Sequence, residues 1–448
     1  MTTDSDYTIT PAPFTAVHFE DAFWRPRLET NRRVTLPFNF RKCEETGRIN
    51  NFAKAAGWMD GPHEGIFFND SDVFKVVEGA AYSLASAPDP AMDAYLDNLV
   101  ALFAGAQEAD GYLYTARTID PTAVTADREG LTRWSHLRVN HELYNVGHLY
   151  EAAVAHFQAT GKRTLLDVAL KNADLIDSVF GPEKLREVPG HQEIEIGLVK
   201  LYRVTGDERY LRLAKFFLDE RGHANGRELY TNFGNPGYMQ DHLPVVEQSE
   251  AVGHAVRAVY MYTGMADVAA LTGDASYIAA IDRLWMNVVG RKLYLTGGIG
   301  ARHTGEAFGD DYELPNAEAY TETCAAIANI LWNQRMFLLH GDARYIDVLE
   351  LSLYNGFLSG VSFSGDEFFY TNPLASDGKT AVNRGHIGRQ PWFDCSCCPT
   401  NDVRFIASLP GYVYASDADS LYVNLFVAGE GQVDVGGRSV HLRQEANY

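Results

Sequence analysis

Thr272-Gly273-Asp274-Ala275-Ser276-Tyr277 reads as the end of one helix followed at once by the start of another. Glycine can close a helix in the left-handed conformation that other residues resist, and the next aspartate can cap the free N–H groups of a new helix. The tyrosine then falls in the first turn of that new helix. The same unit recurs at Thr160-Gly161-Lys162, at Thr205-Gly206-Asp207 with Tyr210, and at His340-Gly341-Asp342 with Tyr345. Apolar residues at three- and four-residue spacing flank these units, over 73–84, 143–159, 165–179 and 251–271. From about residue 72 to residue 358 the pattern is helical and strand signals are scarce. The units lie about 45 to 68 residues apart, too unevenly for an open solenoid of fixed period but suited to hairpins with long connections. The expected fold is mainly α, an (α/α) barrel: a toroid of helical hairpins, expected to number six, whose loops meet at one end of a central funnel.

Beyond Cys398 the period changes from helical to alternating. Gly411-Tyr-Val-Tyr-Ala, Leu421-Tyr-Val-Asn-Leu-Phe-Val and Gln432-Val-Asp-Val read as strands between Gly and Asp turns. The expected organisation is an N-terminal segment at 1–20 that adds a strand to the β region, a barrel domain at 21–410, and the start of a β-sandwich at 411–448. Two or three strands cannot cover one another, so the last is expected to be incomplete.

Composition narrows the function. With 448 residues, 46% of them hydrophobic, the chain can bury a large core. Its 59 acidic and 38 basic residues give a formal net charge of −21, which repels phosphate backbones and anionic membranes. No long uncharged apolar run occurs, and the first 13 residues are polar and acidic. A soluble, cytoplasmic protein acting on a small, neutral partner is expected. The five cysteines are Cys43, Cys324, Cys395, Cys397 and Cys398, an odd number without the spacing of a disulfide framework. Three within four residues point to metal ligation or chemistry in a reducing compartment.

Glu322-Thr323-Cys324 opens a helix, so the Cys324 thiol lies near the first turn, where the helix dipole favours an anion. Cys395-Ser396-Cys397-Cys398-Pro399-Thr400-Asn401 offers further sulfurs on what reads as a constrained turn. Three sulfurs and the Glu322 carboxylate would make one tetrahedral zinc site. Such a zinc could be purely structural. Alternatively, a zinc-bound cysteine is held as thiolate and can attack carbon. If that carbon is anomeric, a glutamate with a raised pKa must protonate the departing oxygen, and Glu306, in an acidic, Gly-rich loop, is the candidate.

The segments Tyr320-Thr-Glu-Thr-Cys-Ala-Ala-Ile-Ala-Asn329 and Cys395-Ser-Cys-Cys-Pro-Thr-Asn401 resemble the signature of glycoside hydrolase family 127. The resemblance extends to Phe23-Trp24 with Arg27, Asp70-Ser-Asp-Val-Phe-Lys75 with Glu78, Asp110-Gly-Tyr-Leu-Tyr114, His141-Glu-Leu-Tyr144, and the stretches 248–254 and 298–306. It implies zinc held by Glu322, Cys324, Cys397 and Cys398, with Cys397 as nucleophile and Glu306 as general acid/base. It further implies that His141, His191, His254 and Tyr370 contact the sugar. The implied activity is retaining hydrolysis of terminal β-L-arabinofuranosides, with L-arabinose as product. The alternatives are a zinc-dependent hydrolase of another furanoside or branched sugar, an (α/α) sugar epimerase, and a non-catalytic carbohydrate-binding protein with structural zinc. Trp24, Phe67, Tyr112 and Tyr114 are candidates for a sugar platform, and a homodimer is a possible assembly.

Overall fold

The computed structural model describes residues 6–124, 132–234 and 236–446. In chain order its helices are α1 (Trp24–Thr30), α2 (Leu36–Glu45), α3 (Arg48–Ala55), α4 (Asp70–Ser86), α5 (Pro90–Ala106), α6 (Thr115–Ile119), α7 (Glu142–Thr160) and α8 (Thr164–Val179). They continue with α9 (Ile194–Thr205), α10 (Glu208–Glu220), α11 (Ala255–Thr272), α12 (Ala275–Asn287), α13 (Thr323–His340), α14 (Ala343–Leu351) and α15 (Cys397–Ser408). Helices α4, α7, α9, α11, α13 and α15 pack each on the next, and α15 returns to α4. This closed inner ring is backed by α5, α8, α10, α12 and α14, while the stretch from α1 to α2 backs α15. The fold is an (α/α) barrel of six hairpins.

Burial separates the two rings. Every residue of α11 from Ala255 to Leu271 is buried, whereas α10 alternates buried and exposed positions. A helix apolar on all sides belongs inside, and an amphipathic one covers it. The repeated turn does what its residues dictate: Gly161, Gly206, Gly273 and Gly341 have φ of 71°, 73°, 68° and 68°, and Asp207, Asp274 and Asp342 cap the helices that follow. These tight turns lie at one end of the barrel. The long return segments lie at the other, where the inner helices begin.

Two local features differ from expectation. The helical region starts at Trp24, well before residue 72, and Pro26 and Pro37 sit in the first turns of α1 and α2. A π turn over Asn31–Thr35 joins the two helices, and the Asn31 side chain donates to the Val403 carbonyl of α15 at 3.1 Å. The Cys397-Cys398-Pro399 run is likewise the first turn of α15 rather than a separate turn.

The β strands are β1 (Thr10–Pro11), β2 (Val17–Phe19), β3 (Tyr414–Ser416), β4 (Leu421–Val423), β5 (Gly429–Val435) and β6 (Arg438–Gln444). They form two antiparallel three-stranded sheets, ordered β1-β3-β4 and β2-β5-β6, with His18 opposite Glu430. Leu409–Tyr412 is a 3-10 turn, so the strand read at Gly411 begins at Tyr414, and β4 stops at Val423. Among the described residues, no helix is long and apolar enough to cross a membrane.

Candidate active site

The inner helices all begin at the same end of the barrel, around a cavity of about 530 Å³. Six parallel N-termini place free backbone N–H groups and the positive ends of six dipoles toward that space, which favours anionic side chains there. Glu322 is the N-cap residue of α13, and Cys324 lies in its first turn. The Phe369–Thr371 segment runs alongside: Thr323 donates its N–H to the Tyr370 carbonyl at 3.0 Å and its hydroxyl to Phe369 at 2.7 Å. Cys397 and Cys398 open α15. Just before them, Arg48 donates to the Asp394 carbonyl at 2.7 Å and pairs with Asp72 of α4 at 2.9 Å, which anchors the cysteine run to the barrel.

The donor atoms of Glu322, Cys324, Cys397 and Cys398 all lie within 4.8 Å of one another. Cys324 and Cys398 are 3.3 Å apart at sulfur, and Glu322 Oε1 is 3.6 Å from the sulfurs of both Cys397 and Cys398. Cys324 and Cys397 line the cavity, with Cys398 fully buried behind them. Burial, then Glu306 and Cys397, push the Glu322 carboxyl well above the usual carboxylate range; burial, Cys324 and Cys397 do the same to the Cys398 thiol. Cys324 goes the other way, because hydrogen bonds from Cys397 and Cys398 outweigh its burial. Glu322 Oε2 is buried without a hydrogen-bond partner. Three thiols and an orphaned carboxylate oxygen in one buried cluster could hold a thiophilic metal ion.

Glu306 faces the same cavity. It sits in a turn where Gly305 and Glu306 both have left-handed backbones, φ 72° and 53°, pinned by paired bonds between Arg302 and Ala307 and by Phe308 N–H to Gly253 at 2.8 Å. Its Oε2 is 3.0 Å from His254 Nε2, and its Oε1 accepts from the Tyr320 hydroxyl at 2.8 Å and from the Arg384 guanidinium. His254 Nδ1 faces the Arg257 N–H in the first turn of α11 at 3.4 Å, so in the neutral imidazole the proton resides on Nε2 and points at Glu306, and protonation of the ring adds a charge to that bond. Burial pushes the Glu306 carboxyl up, but the bond and charge of His254, then Arg384 and Tyr320, outweigh it and hold it at about 2. The raised pKa expected of a general acid is therefore not that of the free protein, because three donors converge on this carboxylate.

The four residues expected to contact sugar also reach the cavity. His141, His191 and His254 form a row, with ring centroids 5.8 Å and 5.5 Å apart. In His141 and His191, Nδ1 bonds a backbone carbonyl at 2.6 Å and 2.8 Å, which leaves Nε2 toward the cavity. Burial, then Arg257, lower the pKa of His141 to about 3 and that of His191 well below the ordinary value, so both are neutral at pH 7. Tyr370 brings its hydroxyl within 2.9 Å of the Cys397 sulfur.

The expected aromatic platform is elsewhere. Trp24, Tyr112 and Tyr114 are almost wholly buried in the core, and Phe67 packs against the Tyr112 cluster; none of the four lines the cavity. They read as platform candidates because aromatic type does not reveal facing. The aromatic walls come instead from Phe68, Tyr144, Phe233, Tyr238, Tyr260 and Tyr370. Lys75 and Tyr320 were legible within motifs quoted above but carried no assigned role; Lys75 is buried on the cavity floor, 3.5 Å from Asp72. Arg384 had no signal at all, since it stands in a polar loop without periodicity. Its guanidinium lies 4.0 Å over the Tyr370 ring.

Fold and cavity together define an (α/α)-barrel protein whose central funnel gathers thiols, carboxylates and histidines. Residues 16–411 match the family described as β-L-arabinofuranosidase, GH127 catalytic domain, and the chain belongs to that family. It is 43% identical over 385 residues to the non-reducing end β-L-arabinofuranosidase of Bifidobacterium longum subsp. longum, a match covering 82% of this chain and 58% of that protein. The chain thus spans little more than half the length of that relative. A solved structure described as a GH127 β-arabinofuranosidase superposes with a TM-score of 0.92 at 55% identity, covering 99% of this chain and 68% of the other. A GH127 β-L-arabinofuranosidase from Geobacillus stearothermophilus T6 gives 0.90 at 43% identity, covering 96% and 71%.

Proposed function

We propose that this chain is the catalytic part of a retaining glycosidase that releases L-arabinose from the non-reducing ends of β-L-arabinofuranosides. The observation that carries the proposal is the meeting of Glu306 and the Cys397 thiol in one cavity, with the Glu322, Cys324 and Cys398 donors around that thiol. Family membership supports the substrate class. Neutral His141 and His191 suit hydroxyl groups, and a cavity of this size takes a single pentose ring with room beyond it.

Glu322, Cys324, Cys397 and Cys398 would hold zinc, which supplies the charge that keeps these thiols deprotonated at neutral pH. The Cys397 sulfur attacks the anomeric carbon, forming a C–S bond as the C–O bond to the leaving group breaks, while Glu306 gives its proton to the departing oxygen. The Tyr370 hydroxyl orients that sulfur. In the second step Glu306 takes a proton from water as the water oxygen replaces sulfur at the same carbon. To begin as an acid, Glu306 must carry a proton, so substrate entry has to draw Arg384 away from its Oε1. A reducing, cytoplasmic setting suits a cluster of three free thiols of this kind.

The test is release of p-nitrophenol from p-nitrophenyl β-L-arabinofuranoside by reduced, zinc-loaded protein, beside Cys397→Ser checked for folding. The expected result is turnover that the substitution abolishes. Equal turnover in both proteins would remove Cys397 as nucleophile, and a folded, zinc-loaded parent without turnover would defeat the substrate assignment.

A further inference from the structure

We propose that Asp93, Asp97 and His156 form a second metal site, remote from the cavity, that takes a divalent transition-metal ion in the place held here by the Lys162 ammonium. Helix α5 supplies both aspartates and α7 the histidine, at the tight-turn end of the barrel. The metal would tie an outer helix to an inner one of the next hairpin.

Asp93 and Asp97 stand one turn apart, on the same face of α5. A carboxylate oxygen of each and a ring nitrogen of His156 all lie within 4.8 Å of one another. An acidic pair on a helix surface is ordinarily just solvated, and His156 is what sets this one apart. Its side chain is wholly buried, and neither ring nitrogen has a hydrogen-bond partner. A buried polar atom left in that state costs stability unless a water or an ion completes it. Burial, then the charge of Lys162, lower the His156 pKa, so the ring is neutral and keeps the lone pair that metals bind. His156 also lies four residues from the end of α7, where the helix dipole favours a cation.

The neighbouring hairpin turn shows that a positive charge is wanted at this spot. After Gly206, Gly273 and Gly341 an aspartate caps the following helix, but after Gly161 the residue is Lys162, and α8 begins without a side-chain cap. The Lys162 ammonium instead bonds Asp93 at 2.7 Å and Asp97 at 2.8 and 2.9 Å. One ammonium leaves the pair of carboxylates with a net negative charge, and it does not satisfy His156. A divalent ion balances both carboxylates and takes the imidazole lone pair as well. Lys162 is 32% exposed on a flexible stem, so its ammonium can swing into solvent. Two carboxylates and one imidazole, without sulfur, suit Mn2+ or Zn2+ with water in the remaining positions.

The experiment titrates Mn2+ into the full, zinc-loaded chain and follows free and bound metal by electron paramagnetic resonance. Thiolates prefer zinc, so Mn2+ does not compete for the cysteine cluster. The expected result is one Mn2+ per chain, with a nitrogen coupling in its pulsed spectrum from His156. Lys162→Ala should tighten binding by roughly tenfold, the worth of two exposed ion pairs that the metal no longer has to break. Asp97→Asn should weaken it by at least as much, and His156→Gln should remove the nitrogen coupling. Asp97 is about half exposed, so its variant keeps the fold and decides the matter even if the buried His156→Gln does not fold. A zinc-loaded wild type that binds no Mn2+ even at millimolar metal overturns the site. So does binding that Asp97→Asn leaves unchanged, that Lys162→Ala fails to tighten, or that shows no nitrogen coupling in the wild type.

Discussion

Replacing Glu306 by Gln should destabilise the protein by an amount that depends on pH. In the folded chain the carboxyl is held at about 2, against an ordinary 4.5. At about 1.4 kcal/mol per unit the ionised form is favoured by roughly 3 kcal/mol. The side chain is 21% exposed, so this figure is an upper value, and 2 to 3 kcal/mol is the expected range. A carboxyl whose folded pKa is depressed contributes its full stability above its unfolded value and loses it as pH falls toward the folded one. The difference between wild type and Glu306→Gln should therefore be largest above about pH 5.5 and shrink steadily below pH 4.5. Urea unfolding of both proteins at half-unit steps from pH 3.5 to pH 7 measures it. A difference that stays constant across that range, or that grows as pH falls, would show that His254, Arg384 and Tyr320 do not hold the carboxylate as described.

Tyr370→Phe removes the hydroxyl 2.9 Å from the Cys397 sulfur and should lower kcat/KM by about ten- to a hundredfold with little change in melting temperature; an unchanged rate would dismiss that contact. Arg404→Met removes a buried guanidinium that bonds Glu78 at 2.8 Å, Glu151, Asn401 at 2.6 Å and Tyr260 at 3.1 Å. The two carboxylates left behind should cost about 3–5 kcal/mol, measured by urea unfolding at pH 7, and a loss below about 1 kcal/mol would contradict a tightly coupled axis. Gly253→Ala would bring a Cβ within 2.2 Å of the Gly237 carbonyl at φ 71°, so it should displace neighbouring His254 and reduce activity more than it reduces stability. Comparing its kcat/KM and its unfolding midpoint with wild type decides the point.

The hairpin turns were fully legible along the chain. Gly206-Asp207, Gly273-Asp274 and Gly341-Asp342 act through backbone rules that hold within a few residues, so their helix stops and starts follow from residue type alone. The candidate thiol and carboxylate donors were legible too, because three cysteines within four residues are conspicuous in any context. What no local pattern contains is ring closure and facing. Whether α15 returns to α4, and whether the N-terminal helices back α15 through Asn31, depends on contacts between residues hundreds of positions apart. The same long-range packing hid Trp24, Tyr112 and Tyr114 in the core and brought Phe233 and Arg384 to the cavity mouth. It also reversed the expected ionisation of Glu306, since a carboxyl's pKa is set by charges in space, and His254, Tyr320 and Arg384 reach it from three separate segments. Local rules fixed the helices and the chemistry available to them, and only tertiary packing decided which side chains share one electrostatic environment.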